Sequence, residues 1–497
     1  MGEGGEMTKK VDGLSLSKSK FIKGLQCHKA LYLHIHRPEL AGVVTAERQA
    51  IYDSGSEVGE VARALFPGGV LVPYEGLSHG EQTAMTRQEI EKGTEVIYEA
   101  AFIYDGVFVK VDILRRGTGG WEIYEVKSSA SMKDVYFPDA AVQYYVLGGS
   151  GLGVSRAFLV HINNGYVRRG AIEPLKLFTV NDVTADVEGW QDTVREEVTR
   201  QRAMLAGSEP VIDIGPHCSS PYECDFMDHC WKHIPEGSVF DIKGSSALPF
   251  KLFSQGIVRL QDVPFTFLSP RQQMQVDAAL KQDVYVSKGA VREFLDTLWY
   301  PLYFLDFETF MTAIPMYDGT RPYQQVPYQY SLHWQDDEDG PLHHSEFLAG
   351  PDMDPREALM ERLAGDIPDE GCVLAYNAGF EIGVLQRLSE WFPSQMRKVG
   401  NIVANTRDLA DPFRRRDVYH WQFGGSYSLK AVLPALVPEM SYKNLEVQNG
   451  SMAMDAYFRM CGTADGEERE SLRAAMLEYC RMDTLAMVRL LEVLKNM

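Results

Sequence analysis

The sequence predicts an α/β protein made of two mixed-sheet domains that a helical connector joins. In the first half, three β-rich runs separated by turn signals precede helical and strand-like segments. A middle stretch differs in character, because short helical runs alternate there with Pro and Gly. A second α/β pattern follows and ends in a long amphipathic segment. These three parts are predicted at residues 14–235, 236–295 and 296–497.

The clearest strand signals lie in the first half of the chain. Strands are expected at residues 99–104 and 107–114, because both runs are rich in β-branched and aromatic residues and Asp105-Gly106 is a strong hairpin turn. Turn residues at 117–120 precede a third strand at 121–127. The following pattern predicts a helix at 132–149, a strand at 157–162 and a helix at 183–205.

Composition and charge limit the classes of function. The formal net charge of -20 argues against binding nucleic acid through a broad basic surface, but not against an enzyme whose carboxylates hold metal ions. Seven cysteines are too sparse for a disulfide framework. The polar N-terminus lacks the apolar core of a signal peptide, and no apolar run approaches the about 18 residues of a membrane span. We therefore expect a cytoplasmic protein without a membrane partner.

Two carboxylates lie two residues apart in the apolar run that opens the second α/β pattern. Asp306 and Glu308 project from one face of a strand, while Leu305 and Phe307 point to the other. Two like charges beside a hydrophobic strand are costly to desolvate, so they need a counter-ion such as a divalent metal. A strand end at which both acids reach water is the alternative.

The last predicted helix, residues 467–495, carries a polar pair on its apolar face. Asp483 lies in the middle of an apolar stripe, and Tyr479 lies one turn before it on the same face. Cys480 adjoins Tyr479 but faces off that stripe. A buried Asp is costly unless something satisfies it, so the pair indicates a site. The apolar members of the stripe are Leu472, Ala475, Met476, Ala486, Met487, Leu490 and Leu494.

A third segment, VLAYNAGFEIGVLQRL, predicts a strand at 373–376 that leads into a helix bearing Glu381. With it, LDFET, YNAGFE and YCRMD resemble the three motifs of the DEDD exonucleases, in the tyrosine-bearing branch with an RNase H-like fold. The resemblance implies 3′-5′ exonuclease activity with Mg²⁺ or Mn²⁺, and a Tyr479 that orients the attacking water. It implies that two metal ions are held by Asp306, Glu308, Glu381 and Asp483.

The second motif departs from the family pattern at one position. The family has Asp where this sequence has Glu381. Glu still binds a hard metal through oxygen, but its longer arm changes the geometry or the rate.

A second acidic pattern lies on the strands of the first half. Asp112 lies near the end of one strand, and Glu125 and Lys127 share a face of the next. Such acids can hold a metal ion for phosphodiester cleavage, while the lysine orients water or stabilises negative charge. An exposed ladder of ion pairs is the alternative.

Four cysteines bracket this part of the chain. Cys27 precedes it, and Cys218, Cys224 and Cys230 follow it at equal spacing, which suggests a metal centre in a reducing compartment. The arrangement resembles the PD-(D/E)XK nucleases with an iron–sulfur staple, such as the CRISPR-associated exonucleases and the AddB nuclease domain. The resemblance implies a restriction-endonuclease-like fold and a 4Fe–4S cluster on these cysteines, with zinc as the alternative.

This first half also departs from the family pattern. Many relatives carry a metal-binding His on an early helix, whereas GSEVGEVARALFP has none and offers Glu57 or Glu60 instead. Gln143 is a further expected member of the site, although Leu147 stands where relatives have Tyr. The two halves together resemble a bacterial RecB-like fusion of an iron–sulfur nuclease domain with an exonuclease domain.

The leading interpretation is a metal-dependent nuclease that trims single-stranded DNA or DNA ends in repair, recombination or defence. The alternatives are an RNA 3′ exonuclease with an N-terminal binding domain and a non-catalytic nucleic-acid-binding scaffold with decayed sites. Arginines 414–416 are interleaved with aromatic residues, a pattern suited to stacking on single strands or to a solvated loop packed on a helix. The aromatic residues concerned are Phe413, Tyr419, Trp421 and Phe423.

Overall fold

The computed structural model describes residues 16–43 and 46–497, without the side chains of 46–53. The protein is α/β, with mixed sheets in two compact units. We call residues up to His233 together with Thr312–Tyr323 the first unit, and Ile234–Met311 with Gln324–Met497 the second unit. The polar N-terminus and the first two residues of the predicted 14–235 domain lie outside the described residues.

Among the described residues of the first unit, seven strands form one mixed sheet. Its strands are β1 Leu16–Ser17, β2 Val70–Leu71, β3 Val96–Tyr104, β4 Val107–Arg116, β5 Trp121–Lys127, β6 Val154–Ile162 and β7 Phe178–Asp182. Its helices are α1 Lys18–Gln26, α2 His28–His36, α3 Ala46–Ala62, α4 His79–Lys92, α5 Phe137–Gly149, α6 Pro174–Leu177, α7 Thr184–Gly189, α8 Gln191–Leu205 and α9 Met227–Cys230.

The sheet of the first unit runs in the order β2-β3-β4-β5-β6-β7, and β1 pairs with β4. Strands β3, β4 and β5 are antiparallel neighbours, whereas β5 and β6 are parallel. Asp105 and Gly106 close the β3–β4 hairpin with φ values of 46° and 69°, as the sequence signal for this turn requires. The predicted helix at 183–205 is two helices, α7 and α8, with Trp190 between them.

The second unit begins with the predicted connector, whose residues 236–295 all belong to it. Its strands are β8 Val284–Val286, β9 Leu302–Phe310, β10 Val326–Gln335, β11 His343–Leu348, β12 Cys372–Ala375, β13 Thr406–Asp408 and β14 Val418–His420. Its helices are α10 Ala247–Ser254, α11 Pro270–Lys281, α12 Lys288–Leu295, α13 Pro355–Asp366, α14 Gly379–Trp391, α15 Met396–Asn405, α16 Asp411–Arg415, α17 Leu429–Leu436, α18 Gly450–Gly462 and α19 Gly466–Lys495.

The main sheet of the second unit runs in the order β11-β10-β9-β12-β13. Its central strand, β9, is antiparallel to β10 and parallel to β12. The long helix α19 packs against β9 and β10, so the stripe predicted from its sequence is buried on this sheet. Asp465 caps α19 by accepting hydrogen bonds from the backbone N–H groups of Glu467 and Glu468. Within the described residues, none of the helices combines the length and the apolar character needed to cross a bilayer.

Candidate functional site

Three carboxylates from two elements meet in the second unit. Asp306 and Glu308 share a face of β9, and Asp483 reaches them from the buried side of α19. One ligand oxygen from each of the three lies within 4.8 Å of those of the other two. Glu308 and Asp483 are 8% and 6% exposed, so most of their surroundings are protein. Oxygen ligands at this spacing can hold a hard divalent cation.

Burial and like charge make this acidic cluster costly. Burial and the neighbouring Asp483 raise the pKa of Glu308 to about 8. Burial also raises the pKa of Asp483 to about 6, and burial with Asp483 raises the pKa of Asp306 well above its ordinary range. All three shifts favour the protonated forms, because burial penalises the charged carboxylates and, at Asp306 and Glu308, neighbouring acids add like-charge repulsion.

Glu381 lies beside the cluster but does not belong to the group of three. It is in the first turn of α14, 3% exposed, and among the described residues its Oε2 has no hydrogen-bond partner. Burial, Asp408 and Asp483 raise the pKa of Glu381 to about 8. A buried carboxylate oxygen without a hydrogen-bond partner, close enough to Asp483 to feel its charge, is compatible with a cation ligand. The sequence predicted that four carboxylates lie together. In the structure three of them do, and Glu381 lies next to this group.

Two tyrosines flank Asp483. The Tyr442 hydroxyl donates a hydrogen bond to Asp483 Oδ1 at 2.6 Å, and the rings of Tyr442 and Tyr479 meet edge to face at 6.1 Å. Tyr479 is 4% exposed, and burial with the charge of Asp483 raises its pKa, so its hydroxyl stays protonated and can donate. Sequence reasoning identified Tyr479 but missed Tyr442, because Tyr442 lies in a short turn without helical or strand periodicity.

A lysine lies close to the cluster. Lys430, on α17, lies with its Nζ 5.5 Å from the Tyr479 ring centroid and 5.6 Å from that of Tyr442. Its charge acts to lower the pKa of Glu308 and of Asp483, although burial outweighs it at both. The sequence pattern did not identify this lysine as a site residue.

Cys480 is placed differently from the sequence expectation. The helical pattern sets it off the apolar stripe, but it is fully buried. Its thiol donates to Asp306 Oδ2 at 3.6 Å. The difference arises because α19 is covered on more than one side, so residues beside the stripe are also enclosed.

In the first unit, the predicted site residues gather around Glu125. Lys127, from the same strand, lies with its Nζ 2.9 Å from Glu125 Oε1, and Gln143 of α5 donates its Nε2 hydrogen to Oε2. Lys18, at the start of α1, donates to both oxygens at 2.7 and 3.0 Å. The sequence pattern did not predict Lys18 as a site residue, because it lies 107 residues from Glu125 and no local periodicity relates the two. Glu125 is thus held by two ammonium groups and an amide.

Asp112 joins this group from the neighbouring strand. Its Oδ2 accepts a hydrogen bond from the backbone N–H of Val126 at 2.6 Å. Burial and the charge of Glu125 raise the pKa of Asp112 to about 7. Burial alone would raise the pKa of Glu125, but Lys127 and Lys18 outweigh it and lower that pKa to about 2. Lysines therefore balance much of this cluster's charge, in contrast to the acidic cluster of the second unit.

A further acid close to Asp112 is Glu99, whose charge contributes to the raised pKa of Asp112. Glu99 lies on β3 with a left-handed φ of 56°, and Lys110 Nζ binds its carboxylate at 2.7 Å. Glu57 and Glu60, which the sequence offered in place of the missing His, are exposed. In the described part of the chain neither belongs to a group of three metal-ligand atoms within 4.8 Å.

The four bracketing cysteines line one cavity of the first unit. None of the four is in a disulfide, and the backbone N–H of Cys224 donates to the carbonyl of Cys218 at 2.9 Å. Among the described residues, no three of these sulfur atoms lie within 4.8 Å of one another. Four thiolates on one zinc ion would be about 3.8 Å apart, given tetrahedral Zn–S bonds of about 2.3 Å. The four sulfur atoms are therefore not at the spacing that a single zinc ion requires.

Divalent cations are expected to stabilise the second unit. At a free Mn²⁺ concentration 100 times the Kd, binding contributes about 2.7 kcal/mol, which raises the Tm of a unit of this size by about 5–10 °C. Asp306→Asn should raise the Tm of the metal-free protein, because it removes one like charge, and should shrink the Mn²⁺ effect. Differential scanning calorimetry measures both.

Glu361→Gln, which changes an exposed acid of α13, is the matched control. An equal Mn²⁺ shift in wild type and Asp306→Asn would refute cation binding here.

Comparison with known proteins finds similarity to proteins without a described activity. Residues 303–428 match the family described as Domain of unknown function (DUF2779), a stretch that contains Asp306, Glu308 and Glu381. The chain is 26% identical over 204 residues to the "Uncharacterized protein MG366 homolog" of Mycoplasma pneumoniae, covering 37% of this chain and 31% of that protein. It is 23% identical over 212 residues to the "Uncharacterized protein MG366" of Mycoplasma genitalium, covering 39% and 32%. The chain therefore spans about a third of the length of these curated relatives.

Proposed function

We propose that this protein is a metal-dependent phosphodiester hydrolase that removes nucleotides from the 3′ end of a nucleic acid, with the acidic cluster of the second unit as its site. The observation that carries the proposal is the approach of Asp306, Glu308 and Asp483 oxygens to within 4.8 Å in a buried setting. Three buried acids this close together are costly, and a bound cation would offset that cost. The RNase H-like fold expected from the motifs is part of the same proposal.

Asp306, Glu308 and Asp483 would hold Mg²⁺ or Mn²⁺, with Glu381 as a further ligand. When bound, the divalent ions supply Lewis-acid stabilisation of the charge that develops on the scissile phosphate. Oxygen donors of this kind match the preference of both ions.

The surrounding residues orient the reactants. Tyr479 is protonated and can donate a hydrogen bond that positions the attacking water. Tyr442 fixes Asp483 in place through its 2.6 Å hydrogen bond to Oδ1. Lys430 adds the positive charge that an anionic phosphate needs when it approaches three carboxylates.

For the first unit, we propose a PD-(D/E)XK-type fold with an iron–sulfur cluster held by Cys27, Cys218, Cys224 and Cys230. The cavity that the four cysteines share supports a common centre for them. A second nuclease site at Asp112, Glu125 and Lys127 stays a prediction, because Lys18 and Lys127 already neutralise Glu125. We therefore assign hydrolysis first to the second unit.

An assay on labelled strands tests the proposal. Purified protein with Mg²⁺ or Mn²⁺ should shorten a 5′-labelled single strand from its 3′ end, and EDTA should stop the reaction, because the acidic cluster cannot act without its cations. Parallel DNA and RNA substrates decide between DNA-end trimming and the RNA 3′ exonuclease alternative. Binding without metal-dependent shortening of either strand would favour the non-catalytic scaffold and refute the proposal.

A further inference from the structure

A second feature of the second unit has the opposite charge. An open pocket of about 460 Å³ is lined by four cationic side chains and by tyrosines, with no Asp or Glu among its described lining residues. We call it the cationic groove. Its charged and aromatic lining consists of Lys243, Arg271, Arg414, Arg416, Tyr419 and Tyr427. In a chain of net charge -20, a concave surface with this composition indicates an anionic ligand.

Most of these cations are not neutralised by the protein. Within the described residues Lys243, Arg271 and Arg416 form no ion pair, whereas Arg414 binds Asp408 at 3.0 Å and also Asp411. Three unpaired cations on one concave surface repel one another, which an anion would relieve.

Arg416 is held in place for such a contact. It has a left-handed φ of 64°, donates a hydrogen bond to the carbonyl of Arg271, and lies 4.9 Å over the Tyr419 ring. Burial and the charge of Arg271 act to lower the pKa of Arg416. An immobilised guanidinium loses little freedom when it binds a phosphate.

The cationic groove adjoins the acidic cluster through a chain of contacts. Arg414 pairs with Asp408, and Asp408 accepts a hydrogen bond from the backbone N–H of Asn377 at 2.9 Å, four residues before Glu381. The hydroxyl of Tyr376 donates to the carbonyl of Tyr427 at 2.6 Å. Tyr427 in turn lies three residues before Lys430, the cation that faces the cluster.

We propose that the cationic groove binds the phosphodiester backbone of a single-stranded nucleic acid whose 3′ end lies in the acidic cluster. The inference rests on the proposed function and adds the path of the strand. Lys and Arg along a groove neutralise successive phosphates, and the ring of Tyr427, 40% exposed, offers a face for base stacking. Lys243 and Arg271 come from the predicted connector, so this segment forms one wall of the groove.

Charge reversal tests the groove. Lys243→Glu/Arg271→Glu in the full chain should weaken binding of a fluorescein-labelled 20-nucleotide oligodeoxythymidine at least tenfold, measured by fluorescence anisotropy in EDTA. The slope of log K against log salt should become shallower by about 1.4, since two phosphate contacts are lost. Lys288→Glu/Arg292→Glu makes the same charge change at exposed residues of α12 that line a different pocket, and it should change binding less than twofold. Equal weakening by both double variants would overturn the proposal.

A second comparison separates a nucleic acid from any polyanion. Tyr427→Ala should weaken oligodeoxythymidine binding about fivefold or more, because one stacked base is lost, and should leave binding of inorganic polyphosphate unchanged. If Tyr427→Ala leaves oligonucleotide binding unchanged, the groove recognises only negative charge and the nucleic-acid assignment is wrong. These readouts need no hydrolysis, so failure of the proposed 3′ exonuclease activity is distinguishable from failure of the groove.

Discussion

Asp306→Ala is expected to reduce metal-dependent 3′ hydrolysis on the order of a thousandfold, equivalent to about 4 kcal/mol of transition-state stabilisation. Asp306 supplies an oxygen to the group that also contains Glu308 and Asp483, so its loss removes a ligand on which cation binding depends. The fold should persist, because the change also relieves like-charge repulsion. The rate at which a 5′-labelled strand is shortened under single-turnover conditions measures the effect.

Any nuclease activity of the first unit must be removed before this result can be assigned to the second unit. We therefore compare Asp306→Ala with wild type in a Glu125→Gln background, which removes the carboxylate that Lys18 and Lys127 bind. Tyr479→Phe should slow hydrolysis less than Asp306→Ala, because water can be positioned imperfectly without the hydroxyl. Full 3′ exonuclease activity of Asp306→Ala in this background would show that the site is wrongly assigned.

Cys224→Ser is expected to bleach the protein and destabilise its first unit. Anaerobically purified wild type should be brown and carry about four irons per chain if the four cysteines hold a 4Fe–4S cluster. The cluster would link distant parts of the first unit through its four cysteines. Loss of this link should lower the free energy of unfolding by about 3 kcal/mol, which lowers the Tm of a unit of this size by about 6–12 °C. Visible absorption, iron analysis and calorimetry measure these effects.

Cys461→Ser is the matched control, since Cys461 is a partly exposed cysteine of the second unit that forms no disulfide and lies outside the cysteine-lined cavity. It should leave colour, iron content and Tm unchanged. Stoichiometric zinc in place of iron would support the alternative metal, and wild type that binds neither metal would refute the centre itself.

The sequence alone determined those features that depend on local periodicity. Alternation along a strand placed Asp306 and Glu308 on one face, and a spacing of four residues placed Tyr479 and Asp483 on one side of a helix. The predicted strand at 121–127 is observed with the same limits. These predictions hold because neighbours a few residues apart are related by strand and helix geometry, whatever surrounds them.

Only the tertiary structure decided which distant residues complete each cluster. Tyr442 contacts Asp483 across 41 residues and Lys18 contacts Glu125 across 107, and no local pattern encodes such pairs. The same holds for Thr312–Tyr323, which follows β9 of the second unit in the chain yet belongs to the first. Periodicity specifies the direction of a side chain from its own element, whereas packing between elements decides what it meets. The charges that offset, or fail to offset, each acidic cluster are therefore properties of the folded chain.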